Sequence, residues 1–72
     1  MSDKKDRFKR VGSRRVDAVI KNLRILGNCS NSNNYEFTEE EVNKMLRAIK
    51  EEIRVVETLF RKSLSKSNKF NF

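Results

Sequence analysis

The segment Phe37-Thr38-Glu39-Glu40-Glu41-Val42 and the apolar series it opens do most to limit what this chain can fold into. From Val42 the series continues through Leu46, Ile49, Ile53, Val56 and Phe60 at intervals of four and three residues, with no glycine or proline between them. That is the period of an amphipathic helix, not of a strand. Its start is specified chemically: the Thr38 hydroxyl can accept from the Glu41 backbone N–H, the Glu41 carboxylate can accept from the Thr38 N–H, and Phe37 can staple onto Val42. Three glutamates in the first turn suit the positive end of the helix dipole. The pattern predicts a helix over residues 39–64. Met45, Ala48, Val55 and Leu59 widen the seam, which predicts packing against more than one neighbour instead of a two-stranded zipper. Glu40 with Lys44, and Glu57 with Arg61, stand at the spacing of favourable ion pairs on the other face.

The first half is also helical by period, since Val16, Val19, Ile20, Leu23 and Leu26 recur on one side of a helix. Gly27, one position past the last of them, predicts a left-handed C-cap. The start is open to two readings. Ser13 can serve as N-cap, but Arg14 and Arg15 would then meet the positive end of the dipole. An earlier start at Asp3 and Asp6 is better charged and puts Phe8 and Val11 on the apolar side. Gly12 costs such a helix about 1 kcal/mol, so a flexible or bent first segment is expected.

Between the helices, residues 28–34 comprise four Asn, two Ser and Cys29, which is turn composition. The connection is long for a helix hairpin, so either Tyr35 and Phe37 anchor it over the helix ends or it presents a binding surface. After Leu64 the sequence loses its seam, and a disordered basic tail is expected over 65–72. The expected organisation is a basic arm at 1–12, flexible or a helical extension, a helical hairpin domain at 13–64, and the tail. No internal repeat is visible.

A chain of 72 residues rarely builds a core that gives more than about 3 to 5 kcal/mol by itself. The usual reinforcements are closed to it, because the single cysteine cannot form an internal disulfide and the absence of histidine removes a Cys/His zinc set. A partner is therefore expected, and the predicted fold is all-α, an antiparallel two-helix hairpin dimerising into a four-helix bundle. The lack of histidine also leaves few groups for acid/base work near neutral pH, so no catalytic residue, cofactor or metal is expected and the chain is read as no enzyme. The N-terminal MSDKKDRFKR is followed by no apolar h-region, and no run approaches the roughly 18 apolar residues of a membrane span. A cytoplasmic protein with no membrane partner is expected.

The net charge of +7 is segregated: +6 over residues 1–27, −4 over 28–41, +1 over 42–60 and +4 over 61–72. Lys4, Lys5, Arg7, Lys9, Arg10, Arg14 and Arg15 place seven bases in twelve positions against few acids. With Lys21 they are the predicted nucleic-acid contacts, able to track a phosphate backbone and release counterions. The bland alternative is a solubilising arm. Arg61, Lys62, Lys66 and Lys69 with Phe70 and Phe72 could stack on unpaired bases, although a frayed basic terminus explains them as well. Asn28, Asn31, Asn33 and Asn34 could read base edges, but capping and turn closure account for them more simply. Asn28-Cys29-Ser30 matches a glycosylation acceptor, a match read as accidental for want of a secretory signal, and Cys29 is expected as a small packing residue. Glu39, Glu40 and Glu41 could suggest metal ligands, yet helix capping suffices for them. Leu46, Ile49, Ile53, Val55, Val56, Leu59 and Phe60 are the predicted protein interface.

Residues 14–53, RRVDAVIKNLRILGNCSNSNNYEFTEEEVNKMLRAIKEEI, resemble small uncharacterised proteins encoded on mobile elements of Gram-positive bacteria, plasmids and phages among them. The most particular parts are LGNCSN at 26–31 and NYEFTEEEV at 34–42. The resemblance implies an intracellular mobile-element context, assigns no functional residues, and suits work on DNA or on a host protein equally. A ribbon-helix-helix repressor fits poorly, because Arg7 to Val11 does not alternate as a half-buried strand should and the inter-helix loop is too long. A helix-turn-helix reading fails on the same loop. The sequence thus predicts a small accessory or regulatory nucleic-acid-binding protein, with DNA favoured over RNA. The alternative is an inhibitor or adaptor of a host or phage enzyme, binding through the apolar face of the second helix.

Overall fold

The structure, a computed structural model, describes residues 3–67. The fold is all-helical, with no strand among the described residues, and consists of two long helices: α1, Asp3–Gly27, and α2, Glu39–Ser67. The chain divides into two units, one ending at Glu36 and containing α1, the other starting at Phe37 and containing α2.

Helix α1 takes the earlier of its two possible starts. Asp3 and Asp6 occupy its first turn and Arg24 its last, so charge complements the dipole at both ends. Ser13 lies in the interior, and its hydroxyl donates to the Lys9 carbonyl one turn back instead of capping a helix end. Gly12 does not interrupt the helix: residues 3–12 are helical and continuous with the rest of α1. Space beside Gly12 is taken by the Phe8 ring, which would lie 3.7 Å from an added Cβ. Arg7 to Val11, which a repressor strand would have required, are helical too.

The exit from α1 departs from the predicted left-handed cap. Gly27 has φ −58° and ψ −28°, an ordinary right-handed conformation, and no described glycine has positive φ. The reason is that winding does not stop at Gly27. It tightens into a 3₁₀ turn, Asn28–Ser30, and the chain leaves at Asn31, which is extended at φ −71° and ψ 102°. The Asn31 N–H donates to the Asn28 carbonyl at 3.3 Å, and the Asn31 carbonyl accepts from Asn34 and Tyr35 at 3.1 and 3.0 Å. The Asn31 side-chain oxygen takes the Asn33 N–H at 3.0 Å. These bonds are an Asx turn and its supports, the short-range competition for backbone groups at which asparagine excels.

Helix α2 begins as its sequence specifies. The Thr38 hydroxyl accepts from the Glu41 N–H at 3.1 Å, and the Glu41 carboxylate accepts from the Thr38 N–H at 2.9 Å. The first intrahelical bond follows, Val42 N–H to Thr38 carbonyl at 3.1 Å. Ion pairs join Arg61 to Glu57 at 3.3 Å and Arg54 to Glu51 at 3.4 Å. Among the described residues these two are the ion pairs present, so the predicted Glu40 and Lys44 pair is not closed. Helix α2 also outlasts its apolar seam: Ser65 to Ser67, expected in the disordered tail, complete its last turn. The remainder of that tail, including Lys69, Phe70 and Phe72, lies outside the described residues.

No described residue is buried. Leu26, Val42 and Ile49 are half-covered, and the other large apolar side chains among the described residues are exposed. An amphipathic helix in water can turn its apolar stripe only against something else, and isolated helices depend on such packing for most of their stability.

Candidate nucleic-acid interface

All eight predicted contacts, Lys4, Lys5, Arg7, Lys9, Arg10, Arg14, Arg15 and Lys21, stand exposed on α1. Helix geometry then sorts them. At about 100° per residue, Arg7, Arg10, Arg14 and Lys21 fall within roughly 60° of one another around the axis. Their row lies diametrically opposite the stripe centred on Val16, Val19 and Leu23. Lys4 and Arg15 stand to one side of the row. Lys5 and Lys9 are in line with the apolar stripe at its N-terminal end, where long lysine stems can cover hydrocarbon while their ammonium groups reach water. Four of the eight therefore stand in one line, spread over about 21 Å at a rise of 1.5 Å per residue. Asp17 falls on the edge of this row between Arg14 and Lys21. Among the described residues no ion pair engages α1, so its guanidinium groups remain available to an external anion.

The predicted protein interface divides as well. Leu46, Ile49, Ile53, Val56 and Phe60 form the main stripe of α2. Val55 and Leu59, with Ala48, lie on a second arc about 120° round, and Met45 bridges the two. Glu52 interrupts the second arc. Together they cover about half the circumference of α2, and Leu59, on that second arc, is 61% exposed.

The asparagines close the turn. Asn31 commits its side-chain oxygen to Asn33 and its carbonyl to two further residues, which leaves it poorly placed to read a base edge. Cys29, expected to pack, is exposed, because the 3₁₀ turn carries it at the surface of its own unit. Tyr35 and Phe37 are exposed. The glutamates of the first α2 turn form no ligand set: Glu41 is occupied by its cap, and among the described residues no three Cys, Asp or Glu side chains gather as a metal site. No described helix is long and apolar enough to cross a membrane.

Comparisons with protein families, with curated proteins and with solved structures give no match to this chain.

Proposed function

We propose that the chain is a small accessory or regulatory protein that binds nucleic acid, DNA in preference to RNA, through the phosphate backbone. The observation that carries this reading is the row Arg7, Arg10, Arg14 and Lys21, exposed, opposite the apolar stripe and free of ion pairs among the described residues. Four bases aligned on one side of a helix suit a line of phosphates, whereas a merely solubilising arm needs no alignment. The apolar stripes of α1 and α2 supply the other half of the proposal. They cover each other in a helical hairpin, and a second copy covers the remaining arc of α2 in a four-helix bundle. The resemblance of residues 14–53 to mobile-element proteins fits a cytoplasmic role alongside plasmid or phage DNA.

Salt dependence tests the reading and counts the contacts. Each neutralised phosphate contributes about 0.9 to the slope of log affinity against log salt. The aligned row alone gives a slope near −3.6 and a loss of roughly a hundredfold between about 50 and 200 mM salt. All eight bases acting together would give a loss of about ten-thousandfold over the same range. Affinity indifferent to salt refutes the proposal. Sedimentation equilibrium tests the bundle, and a folded monomer in dilute solution refutes it.

The exposed wide face of α2 favours one alternative, an inhibitor or adaptor that binds another protein. In that case binding ignores salt and collapses on Val55→Asp or Leu59→Asp.

A further inference from the structure

A second basic row repeats the intervals of the first. In α1, Arg7, Arg10, Arg14 and Lys21 are separated by three, four and seven residues, and in α2 so are Arg47, Lys50, Arg54 and Arg61. An acidic residue follows the third base at the same distance in each, Asp17 after Arg14 and Glu57 after Arg54. Helix period again draws the four bases of α2 into an arc of roughly 60°, centred about 110° round from the main apolar stripe. Arg47, Lys50 and Arg54 line one shallow groove along α2, with Asn43, Leu46 and Glu51.

Two of the four bases are in ion pairs, but those pairs leave capacity to spare. Arg54 to Glu51 and Arg61 to Glu57 each use a single guanidinium nitrogen at 3.4 and 3.3 Å, with side chains 59 to 74% exposed. Water screens contacts of this kind, and a phosphate offers the planar fork two oxygens at once. Arg47 and Lys50 form no ion pair among the described residues.

We propose that Arg47, Lys50 and Arg54, with Arg61 two turns further on, form a second phosphate-contacting row, so that both helices engage a nucleic-acid backbone. This rests on the nucleic-acid reading above and extends it to a helix which that reading leaves to protein contacts. The consequence is a chain that carries one basic row on each of its two helices.

The test is a fluorescence-anisotropy titration of the full chain against a short mixed-sequence DNA duplex over about 50 to 200 mM salt. R47Q/R54Q should lower the magnitude of the salt slope by about two and weaken binding roughly fiftyfold near 0.1 M salt, from about 0.9 in slope per phosphate. K44Q/K62Q removes the same charge from the same helix about 90° off the row and should leave the slope close to that of the unaltered chain. Glutamine matches lysine and arginine in helix propensity, so far-ultraviolet circular dichroism should not change. Should R47Q/R54Q lose helicity, K50Q decides alone, because it breaks no ion pair and should lower the slope by about one. Equal losses from the two pairs, or none from R47Q/R54Q and K50Q, overturn the second row and leave the first standing. An unaltered chain that binds neither the duplex nor single-stranded RNA overturns both.

Discussion

Replacing Gly27 by alanine separates two accounts of how α1 ends. With φ −58° and ψ −28°, Gly27 occupies a conformation open to every L-residue. An added Cβ meets no heavy atom within 4 Å. Alanine therefore gains helix propensity and loses no contact, a stabilisation of about 0.5 to 1 kcal/mol. Had glycine provided a left-handed cap, the same change would cost about 1 to 2 kcal/mol. The two accounts differ in sign, which places the result outside the uncertainty of either magnitude. For a chain of this size about 1 kcal/mol moves a thermal midpoint by about 4 to 8 °C. The assay is thermal unfolding by far-ultraviolet circular dichroism at fixed protein concentration, since association shifts apparent stability. Gly27→Ala should raise the midpoint by a few degrees, and a fall refutes the right-handed exit. Gly12→Ala is its companion: the new methyl meets the Phe8 ring at 3.7 Å, an ordinary contact, and should stabilise α1 by a similar amount.

Thr38→Ala removes one arm of the capping box and should destabilise α2 by about 1 kcal/mol. Glu41→Gln, which keeps an acceptor for the Thr38 N–H, should cost less than Glu41→Ala in the same denaturation experiment. On α1, Arg14→Gln should weaken duplex binding and lower the salt slope by about one. Arg15→Gln, one residue along but outside the row, should change the slope much less, and equal effects would show that the bases act as an unaligned cloud.

The start of α2 was legible to the atom because a capping box needs only neighbours in sequence: Thr38 and Glu41 satisfy each other whatever else surrounds them. Its end was not, since the loss of the apolar seam after Leu64 says where packing stops and not where winding stops. Gly27 misled for a related reason. Glycine permits a left-handed turn but does not impose one, and the asparagines after it offered another exit through Asn31. Ser13 read equally well as a cap or as an interior residue, and its bond to the Lys9 carbonyl decided between them. The basic cluster is evident from composition, while its division into faces requires the helix, which puts Lys5 and Lys9 on the side of Val16 and Leu23. Counting bases along a chain mixes faces that a helix separates. The bases of α2 do not stand out in the linear sequence, because acids dilute them there.

Among the described residues α1 has no ion pair and α2 has two, which makes the helices respond differently to the medium around them. Like charges one turn apart, such as Arg10 with Arg14 and Lys5 with Lys9, each oppose winding by a few tenths of a kcal/mol. Helix α2 neutralises part of its own burden through Glu51 and Glu57, whereas α1 must borrow anions from outside. On the proposed function its order is coupled to occupancy: a bound polyanion would relieve the repulsion and favour the helical form. A contact surface built this way reports by its own folding whether the partner is present.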